Sequence, residues 1–199
     1  MGKGEQTRHT ILEQALDLSS EVGLEGLTFG VLAKLTGMSK SGLYAHFDSK
    51  ESLQCEVLDA AAARFVDVVL SPALKQARGL PRIEKLFERW LRWETDEFSG
   101  GCVFMAAATE FDDRQGPVRD RLTSHLEDML GSIARSARIA VEEGHFRSDL
   151  DDEQFAYEFW GLLLAFQSYG RLLDRPKART RARKAFRHLI ESSRDPGSN

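Results

Sequence analysis

A chain of 199 residues suffices for one ordinary domain, or for a small domain joined to a medium one, and either size buries a core without disulfide or metal staples. Apolar residues make up 42%, the 16 glycines bring that tally to about half, and charged residues are 29%, a balance that excludes intrinsic disorder. The net charge of −4 argues against a surface that is basic all over, so any contact with a polyanion has to come from local charge.

In chain order, the opening run Met1-Gly2-Lys3-Gly4-Glu5-Gln6 has no apolar stretch after its lysine and places Gln6 where a myristoylation signal needs Ser or Thr. Neither export nor lipid anchoring is expected. From Thr7 to Val22, Ile11, Leu12, Ala15, Leu16 and Val22 recur at helical spacing, with Gly23 as the expected C-terminal cap. Thr28 is placed to N-cap a short helix carrying Val31, Leu32 and Leu35; Gly37 breaks it, and Ser39 opens a third helix carrying Leu43, Tyr44 and Phe47. Ser49 opens a long fourth helix over 49–70, expected to end before Pro72. At roughly 30 Å it is long enough to connect two lobes. Further helices are expected near 81–98, 102–112, 117–143, 153–174 and 176–192. There is no strand pattern, repeat or low-complexity tract, so the expected fold class is all-α. Residues 1–50 should form a three-helix domain and 51–199 a larger helical one. The longest apolar stretch, Phe159 to Phe166, falls far short of the roughly 20 residues of a membrane span, and no membrane partner is expected. Cys55 and Cys102 form no Cys-x-x-Cys or Cys/His cluster, so no metal and no disulfide framework are expected, and a reducing, cytoplasmic setting fits.

Two short helices joined by a turn at Gly37, after a longer first helix, have the skeleton of a helix-turn-helix, whose second helix enters the DNA major groove. Periodicity alone fits a three-helix core that binds nothing equally well. The string Leu35-Thr36-Gly37-Met38-Ser39-Lys40-Ser41-Gly42-Leu43-Tyr44-Ala45-His46-Phe47-Asp48-Ser49-Lys50-Glu51-Ser52-Leu53 separates the two, because it resembles the TetR family of bacterial transcriptional regulators. The resemblance is close from Thr7 to about Val57 and beyond that rests on helical architecture and length. The family commonly shows Gly-Thr where this chain has Ser41-Gly42, a departure that bears on base preference rather than on fold. The resemblance implies an N-terminal helix-turn-helix DNA-binding domain followed by a C-terminal ligand-binding and dimerisation domain. It also implies a repressor that binds a palindromic double-stranded operator as a homodimer and is released by a small apolar or amphipathic effector.

The residues support a DNA contact on their own terms. Thr28 and Ser39 stand at helix N-termini, where free backbone N–H groups and the helix dipole accept phosphate oxygens. Lys40 and Lys50 bracket the third helix and can each neutralise one phosphate, while Tyr44 and His46 can hydrogen-bond phosphate or a base edge. Ser41, Gly42 and Ala45 are small enough to seat the helix deep in the groove, where the Ala45 methyl can meet a thymine methyl. The competing roles are a core aromatic with a wet hydroxyl for Tyr44 and a solvated surface residue for His46. Residues 1–50 carry five basic and six acidic side chains, so non-specific affinity should be modest and salt-sensitive.

In the segment 81–98 one face gathers Ile83, Leu86, Phe87, Trp90, Leu91, Trp93 and Phe98, with Glu94 in its middle. A carboxylate there is costly unless paired, hydrogen-bonded or turned to a polar ligand. An ion pair with an arginine and a ligand contact are the two readings. Cys102 to Phe111 is apolar nearly all round and should be a buried central helix. On the family resemblance, Trp90, Trp93, Glu94, Phe98, Phe104, Met105 and Phe111 line an effector cavity, with His125 a further polar candidate; ordinary core packing is the competing role for each aromatic. Cys102 has no neighbouring cation in sequence to lower its pKa, which argues against a redox trigger.

The segment 153–174 is apolar on most sides: Phe155, Phe159, Leu162, Phe166, Tyr169 and Leu173 share one face, while Trp160, Leu163, Leu164 and Leu172 point elsewhere. The row Gly161, Ala165, Ser168 and Leu172 permits close helix approach, so Trp160, Gly161, Leu164, Ala165, Ser168, Leu172, Ala182 and Leu189 are expected at a two-fold four-helix dimer interface. Packing of that row on the chain's own helix over 117–143 is the alternative. The cations of 171–187 are crossed by a stripe of Ala178, Ala182, Ala185 and Leu189 and read as the wet face of a packed helix, a DNA or anion contact being the alternative. Only Glu142 to His145 has Glu-x-x-His spacing, and there is no nucleophile elbow or phosphate loop, so no catalytic residue, cofactor or enzyme activity is expected. A helical ligand-binding protein without operator binding is the remaining alternative.

Overall fold

The computed structural model describes residues 2–195, all of whose regular elements are helical; Met1 and residues 196–199 lie outside the described residues. In chain order they are α1 (Lys3–Gly26), α2 (Phe29–Thr36), α3 (Lys40–Tyr44), α4 (Lys50–Phe65), α5 (Ser71–Leu74), α6 (Leu80–Asp96), α7 (Val103–Phe111), α8 (Pro117–Glu142), α9 (Asp152–Gln167) and α10 (Ala178–Ser192). Short π-helical turns, Val66–Leu70 and Ser168–Leu172, join α4 to α5 and prolong α9. The residues divide into two compact units, one running up to Phe65 together with Thr95–Leu126, the other made of Val66–Glu94 and the residues from Glu127 onward.

In the first unit, α1 packs on α4, α2 and α7, and α2 on α3. Ile11, Ala15, Leu16, Leu27, Leu32, Leu43, Phe47, Leu53 and Val57 are buried, while Leu12 is half-buried and Val22 exposed, so the expected face of α1 meets a core except at its last residue. Two expectations for α2 differ: Val31 and Leu35 are exposed, and only Phe29 and Leu32 of that helix are buried. A helix of eight residues has two turns, and one buried pair already fills its contact with α1 and α3. Phe47 is buried but lies past the end of α3. Gly37 caps α2 at φ 67°, a left-handed conformation that a side chain disfavours.

In the second unit, Phe87 of α6 and Phe186 of α10 stack with centroids 4.0 Å apart, and Phe159 of α9 meets both edge-on at 5.4 and 5.8 Å. This trio ties three helices together through one stacked and two edge-on aromatic contacts. The fourth helix departs from its expected end. Pro72 does not stop it; α geometry yields to the π turn at Val66, and Pro72 then sits in the first turn of α5, where its missing N–H costs nothing.

Candidate functional site

The α2–turn–α3 segment is built by its caps. Thr28 Oγ1 accepts from the Val31 N–H at 3.2 Å, and Ser39 Oγ accepts from the Gly42 N–H at 3.1 Å, each satisfying an orphan donor of its helix. Ser41 Oγ lies 3.0 Å from Ser39 Oγ. A Cβ at Gly42 would fall 3.3 Å from Ser39 Oγ and 3.5 Å from Met38 Cε, so the missing side chain leaves room for the cap. Ser39, Lys40, Ser41, Tyr44 and Ala45 are exposed and His46 half-buried, so one face of the segment is open to solvent. The Tyr44 ring lies 4.2 Å from that of Phe29, and the residue is 54% exposed rather than part of the core. Behind this face Arg8 of α1 ties the turn after α3 to α4. Its Nε donates to the His46 carbonyl oxygen at 3.4 Å, its guanidinium lies over the Phe47 ring and it pairs with Glu56.

Lys50 is not solitary. Its Nζ donates to the Glu25 carbonyl at 2.8 Å and to Glu25 Oε1 at 3.0 Å, and Arg114 Nη1 donates to Glu25 Oε2 at 2.6 Å. Hydrogen bonding and charge from Lys50, with Arg114 adding to them, hold the Glu25 carboxyl below the usual carboxylate range.

The effector candidates fall on both units. On the second, Trp90, Trp93 and Glu94 of α6 are buried, and the Trp90 ring contacts Phe159 at 6.0 Å and Trp160 at 5.8 Å. The arginine pair considered for Glu94 is not formed: both its carboxylate oxygens are buried with no hydrogen-bond partner, and burial pushes its pKa up to about 9. On the first unit, Phe98, Phe104, Met105 and Phe111 are buried. Arg64 and Arg114 lie over the rings of Phe98 and Phe111. His125 is held by Asp59 at 2.8 Å and packs edge-on against Phe104. Cys102 is buried. None of the eight lines the 450 Å³ cleft of the second unit, which is walled by Leu70, Ala73, Leu74, Leu86 and Ile139 and rimmed by Arg82, Arg135, Ser132, Glu127 and Asp128. Gly131, an interior glycine of α8, also lines that cleft, and a side chain there would meet nothing within 4 Å.

The expected interface residues divide as well. Gly161, Leu164, Ala165, Ser168 and Leu172 are exposed, Leu172 at 82%, and a side chain at Gly161 would meet nothing within 4 Å. Trp160 is half-buried. Ala182 and Leu189 are buried within the chain; Ala182 lines a groove with Leu162 and Phe166 because the apolar stripe of α10 packs on α9. The cations of α10 lie outside that stripe, and Arg183 makes two bonds to Glu88 at 2.7 and 2.6 Å.

Residues 11–57 match the model of the bacterial regulatory proteins of the tetR family, and residues 79–186 match the tetracyclin repressor-like C-terminal domain. The HTH-type transcriptional repressor KstR2 of Mycobacterium tuberculosis is 30% identical over 158 residues, 75% of this chain and 74% of that one. The chain belongs to the TetR family. As such it is a ligand-responsive, DNA-binding transcriptional regulator, with operator DNA, a small-molecule effector and a second copy of itself as partners. The tetracycline repressor protein class A from transposon 1721 of Escherichia coli is 44% identical over 54 residues, 27% of this chain and 23% of that one. Among solved structures, a TetR transcriptional regulator from Chloroflexus aurantiacus has a TM-score of 0.84 at 24% identity, covering 96% of each chain. AibR in complex with isovaleryl coenzyme A and operator DNA has a TM-score of 0.75 at 22% identity, covering 92% of this chain and 97% of that one. These two are likenesses of the TetR fold. No helix of the described residues is long and apolar enough to cross a membrane.

Proposed function

We propose that this regulator is a dimeric repressor that inserts α3 into the major groove of a palindromic operator and leaves it when an apolar or amphipathic small molecule binds. In this reading residues 1–50 read DNA and 51–199 sense and dimerise, with the helix over 49–70 between them. Ser41, Gly42 and Ala45 face the bases, Tyr44 and His46 a phosphate or a base edge, and Thr28, Ser39, Lys40 and Lys50 phosphates. The observation that carries it is the solvent-open face of a segment whose two helices are each capped by a hydroxyl, with Lys40 and Lys50 bracketing α3. A bare, pre-ordered helix face flanked by cations is what groove entry requires.

Trp90, Trp93 and Glu94 on the second unit, and Phe98, Phe104, Met105, Phe111 and His125 on the first, are the proposed effector contacts. The second-unit cleft is a second reading, favoured by its apolar wall and charged rim. Isovaleryl coenzyme A, which AibR binds in its own structure, is a reasonable first compound for a screen. The protein acts in the cytoplasm and catalyses no reaction. Footprinting on the DNA beside its own gene, followed by compounds that release it, tests the proposal. A protected palindrome freed by an amphipathic compound is expected; protection of no site, or indifference to every compound that binds, contradicts it.

A further inference from the structure

We propose that Glu25 sets how much of the Lys50 charge is available to DNA, with Arg114 as the rival cation that shares Glu25. The inference rests on the reading of Lys50 as a phosphate contact. Lys50 opens α4, and two Glu25 oxygens, the carbonyl and Oε1, accept from its ammonium at 2.8 and 3.0 Å. The other carboxylate oxygen accepts from Arg114 at 2.6 Å, a residue of the loop after α7. One carboxylate therefore serves two cations, one at the edge of the reading head and one tied to the end of α7.

Glu25 is fixed in place for this task. Its backbone N–H donates to Glu110 Oε2 at 2.9 Å. Glu110 reaches it because Gly23 has no side chain: a Cβ there would lie 1.7 Å from Glu110 Oε1, and Gly23 adopts φ +76°. Glu51 and Arg119 border the same 270 Å³ cavity without bonding Glu25.

The energetics permit competition. The side chains of Lys50 and Glu25 are 35% and 45% exposed, and a pair so wet is weak enough for a phosphate to displace. While Arg114 holds Glu25, part of the carboxylate charge is spent on it and Lys50 is freer for DNA. When Arg114 withdraws, Glu25 holds Lys50 more tightly and the grip on phosphate falls. Movement at the end of α7 thus reaches DNA affinity through charge, without reshaping α3.

Anisotropy titrations of the full-length protein with a random-sequence duplex, repeated across salt concentrations, test the idea. E25Q should bind about threefold tighter per half-site, with the log–log salt slope steeper by about 0.5 per half-site, part of the roughly 0.9 that one lysine supplies; R114A should bind more weakly. Both substitutions alter charge near DNA, so the deciding comparison is made in a K50A background. There the effects of E25Q and R114A should largely vanish, whereas E51Q should act equally with and without Lys50. An E25Q effect that persists undiminished in K50A overturns the proposal. K50A alone leaving affinity and slope unchanged overturns instead the phosphate reading on which it rests. R114A carries the same test through Lys50 without altering α1.

Discussion

Both carboxylate oxygens of Glu94 are buried without a partner, and its pKa stands at about 9 in the folded chain against 4.5 for an unperturbed group. The folded state therefore binds a proton that the unfolded state releases, and stability falls as pH rises between those two values, by at most about 1.4 kcal/mol per pH unit. E94Q, which has no proton to lose, should melt at a temperature nearly independent of pH from 5 to 8, while wild type melts progressively lower over that interval. Parallel pH profiles for the two would contradict this. At the cap of α3, S39A leaves the Gly42 N–H without its acceptor and should cost about 1 kcal/mol of stability, read by thermal melting, with operator affinity falling alongside it.

Among the elements, α3 is held by its turn as much as by its own hydrogen bonds, since five residues are too few to be helical alone. A β-branched residue at Gly37, φ 67°, should cost more than 1 kcal/mol and detach α3 from α2, reducing operator binding more than it lowers the melting temperature of the whole chain. The helices themselves were legible in the residues: the spacing of Ile11, Ala15 and Leu16 and the faces of α6 and α10 reappear as packed surfaces, and the hydroxyls of Thr28 and Ser39 as exposed caps. The π turns at Val66 and Ser168 were not, because a slip of one residue in hydrogen-bond register leaves no mark on apolar periodicity. The place of Glu94 on a buried face was readable from helical projection; that no arginine reaches it was not, since pairing across the chain depends on tertiary packing. The same holds for Lys50, whose partner Glu25 lies 25 residues earlier. The second-unit cleft was missed because its walls come from α5, α6 and α8, which no local pattern joins.

For the whole molecule, the exposed row Gly161, Ala165, Ser168 and Leu172 leaves apolar surface on α9 and its π extension that a second copy is proposed to cover. Gly161→Arg and Ala165→Glu should each give a folded monomer with little operator affinity, and an intact dimer in sedimentation for both variants would rule this interface out. If effector and operator are coupled, operator DNA must lower effector affinity by the same factor by which effector lowers operator affinity, a reciprocity that tryptophan fluorescence titrations can check. Whether α3 reads DNA from a two-fold assembly is decided by selecting the wild-type protein's preferred sites from a random-sequence duplex pool. The expected outcome is enrichment of a palindrome whose half-sites lie about one helical turn apart and whose preferred bases change with substitutions at Ser41 or Ala45 but not at Lys50; recovery of sequences no better bound than scrambled duplex, or of a site without two-fold symmetry, would contradict it.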